Sequence, residues 1–133
     1  MPVSEENLEL ARRFIELGRQ RDRHQLDLLA QDVRYVPIAE VTEAGEYHGR
    51  DGFHRYMKGF IDSGWVEDLR WEATSYTDCG DAVIVRIQFH GQGRVSGLSF
   101  DTRVFQVLTF RNGEIVSIQD FLRRDDALHA ANG

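Results

Sequence analysis

An aspartate closes an apolar row in the segment EIVSIQDFL. Read as a strand, this segment places Val116, Ile118 and Asp120 on one side. A carboxylate among apolar neighbours has its charged form disfavoured and its pKa raised, which suits proton transfer near neutral pH. The other reading is that the strand has left the core by residue 120, so that Asp120 is solvated or paired with an arginine. In SFDTRVFQVLTFR, Asp101, Arg103 and Phe105 share a side, with Asp101 and Arg103 about 7 Å apart at their Cα atoms. Such a pair either assists a reacting carboxylate or forms a structural salt bridge at a pocket rim. His54 and His90 carry the only side-chain type whose ordinary titration falls near neutrality, although a surface or structural place is the commoner role for such a residue. Trp65, Trp71, Phe89 and Phe105 supply enough aromatic surface to wall a pocket for a hydrophobic ligand, or simply to build a core.

Other chemistries find less support. The five histidines show neither HxxxH nor HExxH spacing, so no metal site is expected. Cys79 lies beside Gly80 without a matched base, which argues against a nucleophile. The GQG of residues 91–93 lacks the Lys-Ser/Thr ending of a phosphate loop and joins two strands instead of opening a helix.

The elements that must position these groups follow from periodicity. Ser4 caps a helix with Leu10, Phe14 and Leu17 at helical spacing and Gly18 as its stop. Asp22 and Gln25 have the spacing of a capping box and open a short helix with Leu26 and Leu29 toward the core. VRYVPI reads as a first strand, limited by Pro37 to an edge or a strand end. Residues 39–49 form a long polar connection. GRDGFHRYMKGFIDSG returns to helical period, with Phe53, Tyr56, Met57, Phe60 and Ile61 on one face and Gly64 as its end. From Trp65 the period becomes two, and three further long strands follow, the last two joined by Asn112-Gly113, a strong hairpin signal. Residues 123–131 have room for one or two helical turns. Helices followed by an antiparallel meander make an α+β architecture in which no parallel crossover is expected.

Composition bounds the rest. A chain of 133 residues, 41% hydrophobic and 29% charged, fits one folded domain over residues 1–133. Sixteen Lys and Arg against 22 Asp and Glu give a net charge of −6 with scattered cations, which disfavours nucleic-acid binding. No apolar run approaches the roughly 20 residues of a bilayer span, no leader pattern opens the chain, and one cysteine suits a reducing compartment. A cytoplasmic protein without membrane contact is the expectation. Both sides of the Phe100–Phe110 strand carry apolar groups, with Val104, Leu108 and Phe110 on one and Phe105 and Val107 on the other. The second side needs a cover, which a partner subunit can provide.

The order of elements, the GRDGF opening of the central helix and the hairpin FRNGEI followed by Asp120 resemble the nuclear transport factor 2-like superfamily, in particular its SnoaL-like (polyketide cyclase-like) branch. The likeness runs from about Asn7 to Leu128. It implies a cone in which a curved antiparallel sheet wraps three helices around a deep pocket with an apolar wall, and a homodimer as is usual for the family. It further implies cofactor-free acid/base chemistry on an apolar or aromatic small molecule, in the cyclase, isomerase, dehydratase or epoxide hydrolase range. Asp120 matches the acid/base aspartate of SnoaL-like cyclases. Asp101, Arg103 and Asp120 together resemble the Asp-Arg-Asp trio of limonene epoxide hydrolases, although the order on the strand is reversed here. Tyr35 is a hydroxyl donor of the kind ketosteroid isomerases use, without a residue-for-residue match. His54 and His90 are analogues of the scytalone dehydratase histidine. The superfamily also holds binding and assembly modules without turnover, so the fold leaves both classes open.

Overall fold

The computed structural model describes residues 3–38, 45–62, 66–94, 97 and 99–132. Helix α1 (Val3–Arg19) includes Ser4, the residue expected before its start, in its first turn. The helix buries Ala11, Phe14 and Ile15 and carries Glu5 and Glu6 at its positive end. It also runs past the expected stop at Gly18. The chain leaves it through a Schellman arrangement in which Asp22 N donates to Leu17 O at 2.9 Å and Arg21 N to Gly18 O at 3.1 Å. The left-handed position falls on Arg21, with φ of 57°. Gly18 serves a neighbour instead: a Cβ there would come within 2.5 Å of Gln25 Nε2.

A 3₁₀ helix (Arg23–Leu28) follows, with Asp22 as its cap accepting from His24 N at 2.9 Å. The capping box is not closed. Gln25 turns the other way, and its Nε2 donates to Phe14 O at 3.0 Å. Strand β1 (Leu29–Val36) is followed by a two-residue strand β2 (Tyr47–His48), which lies within the stretch expected to be a plain connection. Helix α2 (Gly49–Asp62) turns Phe53, Tyr56, Met57 and Ile61 toward the core, as its period requires. Its expected end, Gly64, lies outside the described residues.

Strands β3 (Val66–Asp78), β4 (Ala82–Gly93), β5 (Ser99–Arg111) and β6 (Glu114–Phe121) form the antiparallel meander, with cross-strand partners such as Trp71 and Phe89, Ile87 and Val104, and Leu108 and Ile118. Asn112 and Gly113 both have positive φ, 53° and 78°, as a tight hairpin turn demands. Two register shifts in β3, one beside the left-handed Asp68, bend that long strand. The sheet order is β2-β1-β6-β5-β4-β3. One pairing departs from expectation, because β1 runs parallel to β6, with Tyr35 opposite Ile118. The architecture is α+β, with a six-stranded curved sheet.

The two faces of the sheet bury different clusters. The concave face sets Val83, Val85, Ile87, Leu108 and Ile118 against α1 and α2. On the convex face, helix α3 (Arg124–Asn132) lays Ala127, Leu128 and Ala131 over Ala82, Ile84, Phe105 and Val107. The apolar part of that outer face is thus covered by the chain's own C-terminal helix, which removes the reason for assigning it to a partner subunit. Ala127 is fully buried there. Ala127→Asp would place a charge in that contact, and a loss of about 3 kcal/mol is expected in urea unfolding. None of the helices among the described residues is long and apolar enough to cross a membrane.

Candidate active site

Between the concave face and the two long helices lies a cavity of about 370 Å³. Its wall is mostly apolar, with Phe14 and Ile15 from α1, Phe53 and Met57 from α2, and Trp71, Ile87, Phe89 and Val104 from the sheet. Strand alternation sets which side chains reach it. On β5, Thr102, Val104 and Gln106 line the cavity, and on β6 Asp120 does. The row leading to Asp120 differs in detail from the expected one: a register shift between Thr109 and Phe110 sets Ile115, not Val116, in the core, three residues before the alternation resumes with Ile118 and Asp120.

Asp120 is the sole charged group among the described lining residues. The Tyr35 hydroxyl donates to its Oδ2 at 2.6 Å, and Gln106 Nε2 donates to its Oδ1 at 2.9 Å. The Tyr35 hydroxyl also bonds that of Tyr56. Because its one proton goes to Asp120, Tyr35 accepts from Tyr56, and a relay Tyr56–Tyr35–Asp120–Gln106 results. The tyrosine rings are fixed by neighbours, Tyr35 meeting Phe53 at 5.2 Å and Tyr56 at 5.1 Å between ring centroids, both edge to face.

Burial pushes the Asp120 carboxyl up to about 6, against the pull of the Tyr35 and Gln106 hydrogen bonds. Tyr35 is held well above the ordinary phenol range by burial, by the charge of Asp120 and by its bond to it. Tyr56 is pushed up to about 12, again chiefly by burial and then by Asp120. The carboxyl is therefore the group that exchanges a proton near neutrality, and the phenols stay protonated as donors. Removing the Tyr35 hydroxyl deletes one of the bonds that favour the carboxylate. Tyr35→Phe is expected to move the Asp120 titration upward, which carboxyl NMR shifts across pH would read directly.

The remaining sequence candidates divide. Trp71 lines the cavity, as does Tyr35. His54 lines a neighbouring groove and is absent from the cavity wall. Asp101 and Arg103 are corrected to the convex face: they stand opposite His90 and Gln88, which alternate with the cavity residues Ile87 and Phe89. Asp101 has its side chain 64% exposed, accepts from Gln88 Nε2 and lies 3.5 Å from His90 Nδ1. The rim salt bridge between Asp101 and Arg103 does not form either, and neither residue meets Asp120. His90 is on the same outer face, 3.5 Å from Glu72. Phe105 packs under α3, not in the pocket. Trp65 lies outside the described residues.

Gln106, Tyr56, Met57 and Thr102 were missed as site residues. For Gln106 the signal was present, since it interrupts the apolar row Val104, Leu108, Phe110 as Asp120 interrupts its own.

A curved sheet closed by helices over a cavity is the arrangement of nuclear transport factor 2-like cones. Residues 11–118 match the SnoaL-like domain, and the chain belongs to that family. No curated protein matches it in sequence. Among solved structures, a nuclear transport factor 2-like protein of unknown function from Burkholderia pseudomallei K96243 superposes with a TM-score of 0.76 at 20% identity, over 96% of this chain and 98% of that one. TerC, co-crystallized with polyporic acid, gives 0.75 at 18% identity over 96% and 98%. A protein with a ketosteroid isomerase-like fold from Catenulispora acidiphila DSM 44928, in complex with trimethylamine, gives 0.70 at 18% identity over 92% of each chain.

Proposed function

We propose that the protein is a cofactor-free acid/base enzyme acting on an apolar or aromatic small molecule whose reacting part lies in the cavity. The observation that carries this reading is the isolated carboxyl of Asp120, titrating near 6 in an apolar space and bonded by Tyr35 and Gln106. A carboxyl poised there takes a proton from a carbon acid or returns one to an oxygen or carbon at the pH of a cell. The absence of Lys, Arg and His from the described lining favours a substrate whose reacting part is uncharged, since an anion would face Asp120 unbalanced. The Tyr56–Tyr35 pair holds the carboxylate in place and lends hydroxyl polarity beside it. Such a group serves proton transfer in the isomerase and cyclase range of reactions that the resemblance implies.

Asp101 and Arg103 have no part in this reading, so the bridged two-carboxylate water activation of the epoxide hydrolase pattern loses its support. The test is a panel of cyclic ketones, small epoxides and polyketide-like aromatics, assayed with wild type and with Asp120→Asn. Turnover that depends on Asp120 supports the enzyme. Tight binding without turnover across the panel would replace it with a ligand-binding module.

A further inference from the structure

A second space of about 530 Å³ opens between the end of α1, the 3₁₀ helix and α2. Gln25, Phe53, Met57 and Trp71 line both this groove and the cavity, so the two spaces adjoin along these four side chains. Their polar content is opposite. The cavity holds one negative group, whereas the groove is lined by Arg21, Arg23 and Lys58 together with Asp22 and Asp62.

Two of these charges are already engaged. Asp22 caps the 3₁₀ helix and lies 2.8 Å from His24 Nδ1. Arg21 donates to Leu69 O at 3.0 Å and lies 4.5 Å over the Trp71 ring, an anchorage that accounts for a non-glycine residue at a left-handed position. Arg23 and Lys58, one from the 3₁₀ helix and one from α2, are exposed and make no ion pair or hydrogen bond among the described residues. Asp22 and Asp62 offset part of the three-cation charge of Arg21, Arg23 and Lys58 in the groove. A chain of net charge −6 thus presents two exposed cations at a groove that shares lining residues with its cavity.

We infer that the ligand has two parts, an apolar body that fills the cavity and a carboxylate that lies in the groove between Arg23 and Lys58. This inference rests on the reading of the cavity as the small-molecule site. The orientation follows from charge: turned round, the carboxylate would confront Asp120 in a space of low polarity, where repulsion is strongest. In the groove it meets two exposed cations and keeps contact with water.

The test compares ω-phenylhexanoate with its primary amide, which has nearly the same shape and no charge, by calorimetry at pH 8 and low salt. Wild type is expected to bind the acid about tenfold tighter than the amide. In the double variant Arg23→Glu/Lys58→Glu the acid should bind no better than the amide, while the amide keeps its wild-type affinity. About 0.5 M sodium chloride should erase most of the difference in wild type. Equal affinity of the two probes for wild type, or a preference for the acid that survives in the double variant, overturns the inference and leaves the cavity reading intact. Failure of both probes to bind overturns the cavity reading and the inference with it.

Discussion

Asp120→Asn is expected to lower kcat/KM by roughly 10²- to 10⁴-fold, the usual share of a general acid or base, with fold and most ligand affinity retained. The substitution suits the site unusually well. Asparagine can accept from Tyr35 through its carbonyl, but its amide would then face the Gln106 amide. Gln106 Oε1 is buried without a hydrogen-bond partner in the wild-type arrangement. A half-turn of the Gln106 amide brings that oxygen round to accept from the new asparagine, so the local network closes again. Loss of rate with circular dichroism unchanged identifies a chemical role. A variant that keeps wild-type turnover excludes Asp120 as the proton-transfer group.

The same substitution should make the protein more stable at alkaline pH. Asp120 titrates near 6 in the folded chain, against an ordinary 3.8. Its folded-state pKa is raised, so its contribution is fully present below the ordinary value and is lost as pH rises through about 6. Above that, holding the ionized carboxylate in the cavity costs the fold about 3 kcal/mol relative to the protonated form. Asparagine does not ionize and escapes this cost. The stability gap between Asp120→Asn and wild type is expected to widen by about 2–3 kcal/mol from pH 4 to pH 8, read from urea midpoints at several pH values. All other groups titrate alike in both proteins and cancel. A gap that stays constant with pH would show that the carboxyl is well solvated and ill suited to the role proposed for it. Activity and stability thus pull against each other at this residue.

What the sequence made legible follows from where its signals are local. The meander was readable because Val83, Val85 and Ile87 alternate over a long run and Asn112-Gly113 marks its own turn. Asp120 was found by the same alternation. Asp101 and Arg103 were misplaced because alternation says which residues share a face but not which face is concave. Here Thr102 and Val104 face the cavity, and their neighbours face outward. Apolar groups on both sides of β5 left that choice open, and α3, foreseen as a helical tail, proved to be the cover of the outer side. Strand β2 escaped notice because two residues carry no period. The parallel pairing of β1 with β6 escaped because no local pattern reports which strand a distant one will join.

That parallel pairing also dictates when, during folding, a working site can exist. The bond between Tyr35 and Asp120 joins residues 85 apart in sequence. Strands β3 to β6 can zip through successive neighbours, each closing a short loop. Strand β1 has no such local partner except the two residues of β2, and it must wait for β6 to be made. Joining ends so far apart is slow, since chain entropy is lost before the contact rewards it. A nascent chain emerging from the ribosome therefore carries its cavity-lining residues from α1, β1 and α2 long before the acid arrives. The Asp120 carboxyl is synthesized after all of these, and it comes under the hold of Tyr35 only when β6 joins β1 in the sheet.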